Sequence, residues 1–403
     1  MRRGRPEAFR MLKRREFLRL GTMTGLGLLS GCHQSTPSLT PSPVAEEAVG
    51  QEFIVRNRRP KDLETPVEAF QTYLTPNDRF FVRSHHPEPK VSGQDWVLMV
   101  RVPGTEGLLL DYQSLKSLEA VSVTAVLQCA GNSRGMYRPR VPGVQWGRGA
   151  VGNAVWRGAR LADVLKKAGV DESAPEHVVI HGSDKPLMKT VPIFARQLPL
   201  SKCLHPDTLL AYEMNGEPLP RLHGGPVRLV VPGWVGDDWI KWVSSIQLQD
   251  EECEEFYYKK GYRYPDIPCR PGEGVDSSHM KPMTELVTRS LFSSPTQGAA
   301  VSMGSEVALK GVAWTGGDKL IEKVEISDDE GQSWHQVALE GEAKPYAWRL
   351  WSFPWKPKAP GVVSLRCRAT DSSGSVQPLE DSPWNPGGYL WKTADKLEVE
   401  VTA

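Results

Sequence analysis

The residue of this chain with the most chemical potential is one cysteine. It sits in Gln128-Cys129-Ala130-Gly131-Asn132-Ser133-Arg134, a polar, glycine-containing turn after the apolar run Val121 to Leu127. A thiolate is the form of cysteine that binds metal or attacks an electrophile, and a neighbouring cation such as Arg134 lowers the thiol pKa towards it. On the turn alone, a buried structural thiol fits as well as a ligand. Cys203, Cys253, Cys269 and Cys367 are scattered and read as free thiols rather than a disulfide framework. The chain has no GxSxG, HExxH, P-loop or GxGxxG motif and no CxxCH or cysteine cluster, so c-type haem and iron–sulfur ligation are unsupported.

The elements that must position Cys129 are mixed. VSVTAVL (121–127), HVVIH (177–181) and VRLVV (227–231) read as strands. Leu161, Val164, Leu165 and Ala168 repeat at helical spacing and stop at Gly169. Helices and strands without regular βαβ alternation predict an α+β domain over 51–265. Residues 266–290 are rich in Pro and Gly and read as a connector. Beyond them the pattern turns to alternation: Val363, Leu365, Cys367 and Ala369 share one face, and Leu397, Val399 and Val401 another. Residues 324–327, a turn at 328–331 and residues 334–339 read as a hairpin. Six or seven such strands over 291–403 predict an antiparallel β-sandwich of immunoglobulin type.

With 403 residues, 49 Lys+Arg and 48 Asp+Glu, the chain is long enough for two domains, and its charge gives no argument for nucleic acid. The balance hides an asymmetry. Residues 1–31 carry a net +6, and the remaining 372 carry −5. Arg14-Arg15 before a short, mildly apolar stretch resembles a twin-arginine export signal, and Leu29-Ser30-Gly31-Cys32 resembles a lipobox. The apolar stretch is too short for a spanning helix. These features predict a signal peptide over 1–31, a lipid anchor at Cys32, a Ser/Pro-rich tether over 32–50, and a periplasmic or membrane-anchored location outside the cytoplasm.

QCAGNSR is similar to the molybdenum-binding segment of the sulfite oxidase family, and it has company in the family's order. Phe80 to Pro87 (FFVRSHHP) resembles that family's F-x-R-N-H-x-P segment. Gly143-Val144-Gln145-Trp146, Gly158-Ala159-Arg160-Leu161, Leu210 to Gly216, His223 to Arg228 and Lys241-Trp242 follow. Gly311 to Trp314, Gln377-Pro378 and Trp384-Asn385 fit the family's dimerisation domain. The resemblance covers about residues 53–401 and implies a molybdopterin-binding domain followed by that sandwich.

It implies a molybdenum–molybdopterin cofactor with Cys129 as the protein ligand to the metal, no haem and no iron–sulfur cluster. His85, Asp184, His223, Arg228 and Lys241 fall at cofactor positions. Arg83, Arg134, Trp146 and Tyr262 fall at the oxyanion pocket, with Tyr258 and Tyr264 close enough to exchange with Tyr262. Arginines suit an oxyanion because their planar fork donates bidentately. Three departures stand out: Gly387 replaces a pocket arginine, Asp237-Asp238-Trp239 replaces Ala-Arg-His, and His86 and Glu88 stand where apolar residues are common.

The implied activity is oxidation of sulfite to sulfate by an exported homodimer, with electrons leaving to a separate acceptor such as cytochrome c. The alternatives are an exported molybdopterin reductase of a sulfoxide, nitrate or similar oxygen donor, and a non-catalytic lipoprotein binding module.

Overall fold

A computed structural model describes residues 53–171 and 174–403. The export segment, Cys32 and the tether expected over 1–50 lie outside the described residues.

The strand that carries Cys129 runs Ala120–Gln128 and pairs antiparallel with Val151–Arg160 along its whole length, from Ala120 opposite Ala159 to Gln128 opposite Val151. Leu209–Met214 continues this antiparallel sheet, and Glu217–Pro218 and Arg228–Val230 both pair with it. A second sheet runs Leu108–Asp111, Val97–Arg101, Val243–Gln249, His177–Gly182 and Ala195–Pro199. Only the Val97–Arg101/Val243–Gln249 pair is parallel in it, which suits α+β rather than a doubly wound sheet. A small third sheet joins Ile54–Asn57, Asp62–Glu64 and Val82–Arg83.

Both large sheets share one core with the Leu161–Lys167 helix. Leu161, Val164 and Leu165 are fully buried there, and each contributes roughly 1.5–3 kcal/mol by leaving water. Gly169, at φ +86°, adopts the left-handed turn that ends the helix.

The C-terminal region is a two-sheet sandwich. One sheet orders Arg289–Ser294, Val307–Trp314, Arg349–Trp355 and Ala338–Leu339. The other orders Ala300–Ser302, Asp395–Thr402, Gly361–Asp371, Ile321–Ser327 and His335–Gln336. Leu365, Cys367, Ala369, Leu397, Val399 and Val401 all face the core between them, as the alternation requires. The expected hairpin is corrected in its second arm. His335–Gln336 pairs with Ile321–Ser327, but Ala338–Leu339 crosses to the other sheet and pairs with Arg349–Trp355. Val337, 5% exposed between them, is the buried pivot of the crossing.

The stretch expected to be a plain connector is also more structured. Met280–Pro282 pairs with Arg263–Pro265, and Met283 and Leu286 are buried. They join a cluster with Val126, Ala130, Tyr262, Leu291, Trp314 and Trp348 that links sandwich to catalytic region. Polar bonds reinforce it. Trp314 Nε1 donates to Gln128 Oε1 at 2.7 Å, Leu390 N to Ala130 O at 3.1 Å, and Arg148 pairs with Asp395 at 2.7 Å. The segment around 385–391 thus braces the Cys129 turn from the sandwich side.

Candidate active site

The turn is fixed by its backbone. Cys129 N donates to Ala150 O at 3.0 Å, and Cys129 O accepts from Asn132 N at 2.9 Å. Asn132 Oδ1 takes the Ala150 N–H at 3.1 Å. Gly131 is required by contact: a Cβ there would stand 2.4 Å from Arg134 Nη2. The Arg134 side chain therefore folds back over its own turn.

Cys129 lines a cavity of about 680 Å³, part of it open to solvent. Arg83, His85, Asp184, His223, Arg228, Lys241 and Tyr262 line it too. Arg134 and Trp146 do not. Arg134 Nε donates to Gly387 O at 2.9 Å and Nη1 to Val144 O at 3.1 Å, with its guanidinium 5.0 Å from the Tyr389 ring centre. Trp146 is fully buried with Nε1 unpartnered, and its ring meets Phe81 edge-on at 6.4 Å. Tyr262, rather than Tyr258 or Tyr264, reaches the cavity; Tyr258 instead takes a 3.0 Å bond from Gln197 Nε2.

One sequence inference is overturned. Arg134 does not bring Cys129 to a low pKa in this state of the protein. Burial pushes the thiol up, and the pull of Arg83 and Arg134 only partly offsets it. A local motif shows the arginine but not the burial that desolvates the thiol.

Two kinds of cation surround the cavity. Arg83 is neutralised: Nη1 donates to buried Asp62 Oδ1 at 3.1 Å, and it stays charged despite desolvation. Arg228 has no acidic partner, and Lys241 feels only a partial pull from Asp184 and Asp62. Arg228 donates to the carbonyls of His223 (2.8 Å) and Trp239 (2.9 Å) and lies 5.0 Å from the Trp156 ring centre. Lys241 Nζ donates to Ser84 Oγ at 2.8 Å and Leu222 O at 3.1 Å. With neutral acceptors, burial pulls Arg228 down to about 9; burial and then Arg228 pull Lys241 down to about 7. A buried cation held by carbonyls and hydroxyls is a site waiting for an anion. His223 is pulled to about 3 by burial and His85 well below its ordinary value, so both are neutral donors or acceptors. His85 Nε2 lies 2.6 Å from the Tyr262 hydroxyl, and its ring stacks on Phe194 at 4.0 Å.

The Asp237-Asp238 departure has a partner that sequence reading missed. Arg196, 1% exposed on the Ala195–Pro199 strand, pairs with Asp238 at 2.8 Å and Asp237 at 3.0 Å and donates to Tyr257 O at 2.6 Å. Burial raises both acids, Asp237 to about 8. Asp237 also lines the cavity. The available signal is an arginine inside a short buried strand, which needs an acid from elsewhere. His86 is buried as an apolar residue would be, while Glu88 meets Lys61 at 3.3 Å and Arg221 at 3.6 Å.

Gly387 is explained by its neighbour. A Cβ at 387 would stand 2.0 Å from the Tyr389 ring. Tyr389 stacks on Tyr262 with centres 5.5 Å apart. Tyr389, Arg196 and Asp62 contact the site residues from positions that no motif announced.

Residues 85–257 match the family described as "Oxidoreductase molybdopterin binding domain", and residues 280–400 match "Mo-co oxidoreductase dimerisation domain". The chain is 35% identical to Arabidopsis thaliana sulfite oxidase, over 83% of this chain and 91% of that protein. It is 35% identical to mitochondrial sulfite oxidase of Drosophila melanogaster over 86% of this chain, spanning 62% of that protein's length. Its fold is similar to that of the sulfane dehydrogenase SoxCD from Paracoccus pantotrophus, with TM-score 0.71 and 26% identity over 91% of this chain and 87% of that one.

The residues present fit the cofactor of these proteins. One thiol in the cavity wall and two buried cations hydrogen-bonded to neutral acceptors suit a phosphate-bearing molybdopterin with a thiolate-ligated metal.

Proposed function

Because this chain belongs to the sulfite oxidase family of molybdopterin oxidoreductases, we propose that it oxidises sulfite to sulfate at the Cys129 cavity. Sulfite and water yield sulfate, two protons and two electrons. When bound, the molybdenum cofactor supplies the transferable oxygen and accepts the electron pair. Cys129 ligates the metal. Arg228 and Lys241, with neutral His85 and His223 and with Asp184, would hold the pterin and phosphate. Arg83 stays cationic and faces the anion, while Tyr262, tied to His85, offers its hydroxyl to it. Arg134 acts by electrostatics and by shaping the turn, and Trp146 packs behind Phe81, which lines the cavity. The observation that carries the reading is the pairing of Cys129 with Arg83 and Tyr262 in one cavity backed by the buried cations Arg228 and Lys241. The test is sulfite-dependent reduction of cytochrome c or ferricyanide by purified enzyme. No reduction above the sulfite-free rate sinks it.

A specific observation favours a second reading. Tyr389 fills the space a side chain at 387 would need, so position 387 itself supplies no cation, and the nearby Arg134 is tied to the Gly387 carbonyl. It suits a less anionic substrate: a sulfane, the class in the name of the Paracoccus protein, or an oxygen donor such as a sulfoxide. Sulfoxide-dependent oxidation of a reduced dye, in the absence of sulfite oxidation, would select it.

The domain division, a homodimer formed through the sandwich, cytochrome c as acceptor, and twin-arginine export with lipidation at Cys32 belong to the same proposal. Residue types at 14–15 and 29–32 support export, and the dimerisation-domain match at 280–400 supports the dimer. Mass spectrometry of the mature N-terminus tests the first: an unmodified chain beginning elsewhere than Cys32 rejects the anchor. Light scattering tests the second.

A further inference from the structure

The geometry points to a second oxyanion-binding site outside the Cys129 cavity, an arginine-lined depression that takes a small dianion of the sulfate class. The depression encloses about 820 Å³, part of it open to solvent, and no Asp or Glu lines it. Three guanidinium groups do: Arg56, Arg138 and Arg140.

Each is held by one edge with the remainder left to donate. Arg140 Nε donates to Gln145 Oε1 at 2.8 Å. Gln145 is itself fixed, its Nε2 donating to Val141 O at 2.9 Å and Gly143 O at 2.7 Å. The two terminal nitrogens of Arg140, which like Arg138 is exposed, are left free to donate as a fork. Arg138 Nη1 donates to the carbonyls of Gly135 and Tyr137, both at 2.8 Å. Arg56 Nε pairs with Glu64 Oε2 at 2.6 Å, and its Nη2 lies over the backbone of Gly147, where a Cβ would come within 3.1 Å.

Glu64, 2% exposed, is the one acid involved, and it also accepts from Gly147 N at 2.9 Å and Gly149 N at 3.0 Å. Its charge is drawn inward to backbone donors, leaving two guanidinium charges with neutral acceptors only. Oriented forks of this kind recognise tetrahedral oxyanions by charge-assisted hydrogen bonds. Gly135 N donates to Trp146 O at 2.9 Å, so the floor is the strand-like pairing that also carries Arg134 and Trp146. The identification of the physiological anion with a sulfur oxyanion rests on the sulfite reading; the site itself does not.

The test is calorimetric titration of sulfate into the holoenzyme at constant ionic strength held with chloride. The wild type is expected to bind sulfate at this site, and Arg138→Gln/Arg140→Gln to lose that binding by at least tenfold. Arg140→Lys, which keeps the charge and removes the fork, is expected to weaken it as well, and serves if the double variant does not fold. Arg83→Ala is expected to retain the site. Isotherms of both the double variant and Arg140→Lys that superimpose on wild type overturn the proposal, as does complete loss of sulfate binding in Arg83→Ala. Absence of sulfite turnover in the wild type would refute the reading above while the sulfate isotherm still decides this one.

Discussion

Arg196→Met removes the one cation of a fully buried ionic cluster, and its cost can be reasoned from the contacts. Arg196 stands 2.8 Å from Asp238 and 3.0 Å from Asp237, and all three side chains are 1–2% exposed. One guanidinium neutralises one carboxylate. Asp238 is the ionised partner because it receives the aligned Arg196 Nε–H bond, whereas Asp237 has neither oxygen in a hydrogen bond. Methionine fills similar volume, so packing loss is small and the main effect is a stranded Asp238 charge. Breaking a buried pair this way costs about 3–5 kcal/mol. Denaturant unfolding read by tryptophan fluorescence measures it, with Arg196→Met/Asp238→Asn as the rescue. The double variant is expected to recover more than half the loss, and Arg196→Met/Asp237→Asn little of it. A single-variant loss below about 1 kcal/mol, the range of an exposed pair, would refute the buried-charge reasoning. Equal rescue by the two asparagines would refute the assignment of the charge to Asp238.

Two further outcomes follow from the same neighbourhood. Asp237 holds its proton to about pH 8 in the folded chain, against an ordinary value near 3.8, because burial disfavours its charge. The folded form therefore binds the proton that the unfolded form releases, and stability falls as pH rises from 4 to 8; Asp237→Asn is expected to flatten that slope in pH-dependent unfolding, and an unchanged slope rejects it. Gly387→Ala places a Cβ 2.0 Å from the Tyr389 ring, so it is expected to destabilise by about 1–3 kcal/mol as overpacking does. Tyr389→Ala in the same chain should relieve it, and thermal melts that show simple additivity of the two changes would contradict the contact.

The amphipathic helix at 161–168 and the alternating strands at 363–369 and 397–401 were legible because their periods, 3.6 and 2, write burial directly into residue order. Cys129, Arg83, His85, His223, Arg228, Lys241 and Tyr262 were legible through ordered motifs, and the structure brings them to one cavity wall. What escaped was everything set by distant contact. Arg196 and Asp238 are 42 residues apart, Arg134 and Gly387 are 253 apart, and neither pairing has a local signature. The sheet switch at Val337 escaped because residues 335–339 alternate acceptably for either sheet. The raised thiol pKa escaped because it depends on desolvation by the fold rather than on the neighbouring arginine.

The central claim is that Cys129 makes this cavity a molybdenum site that oxidises sulfite. It is tested most directly by measuring molybdenum content together with sulfite-dependent acceptor reduction in wild type and Cys129→Ser, both produced in a cofactor-competent host. Near one molybdenum per wild-type chain with sulfite turnover is expected, and a folded Cys129→Ser without turnover. A metal-free wild type, or a Cys129→Ser that turns over sulfite at the wild-type rate, would contradict it.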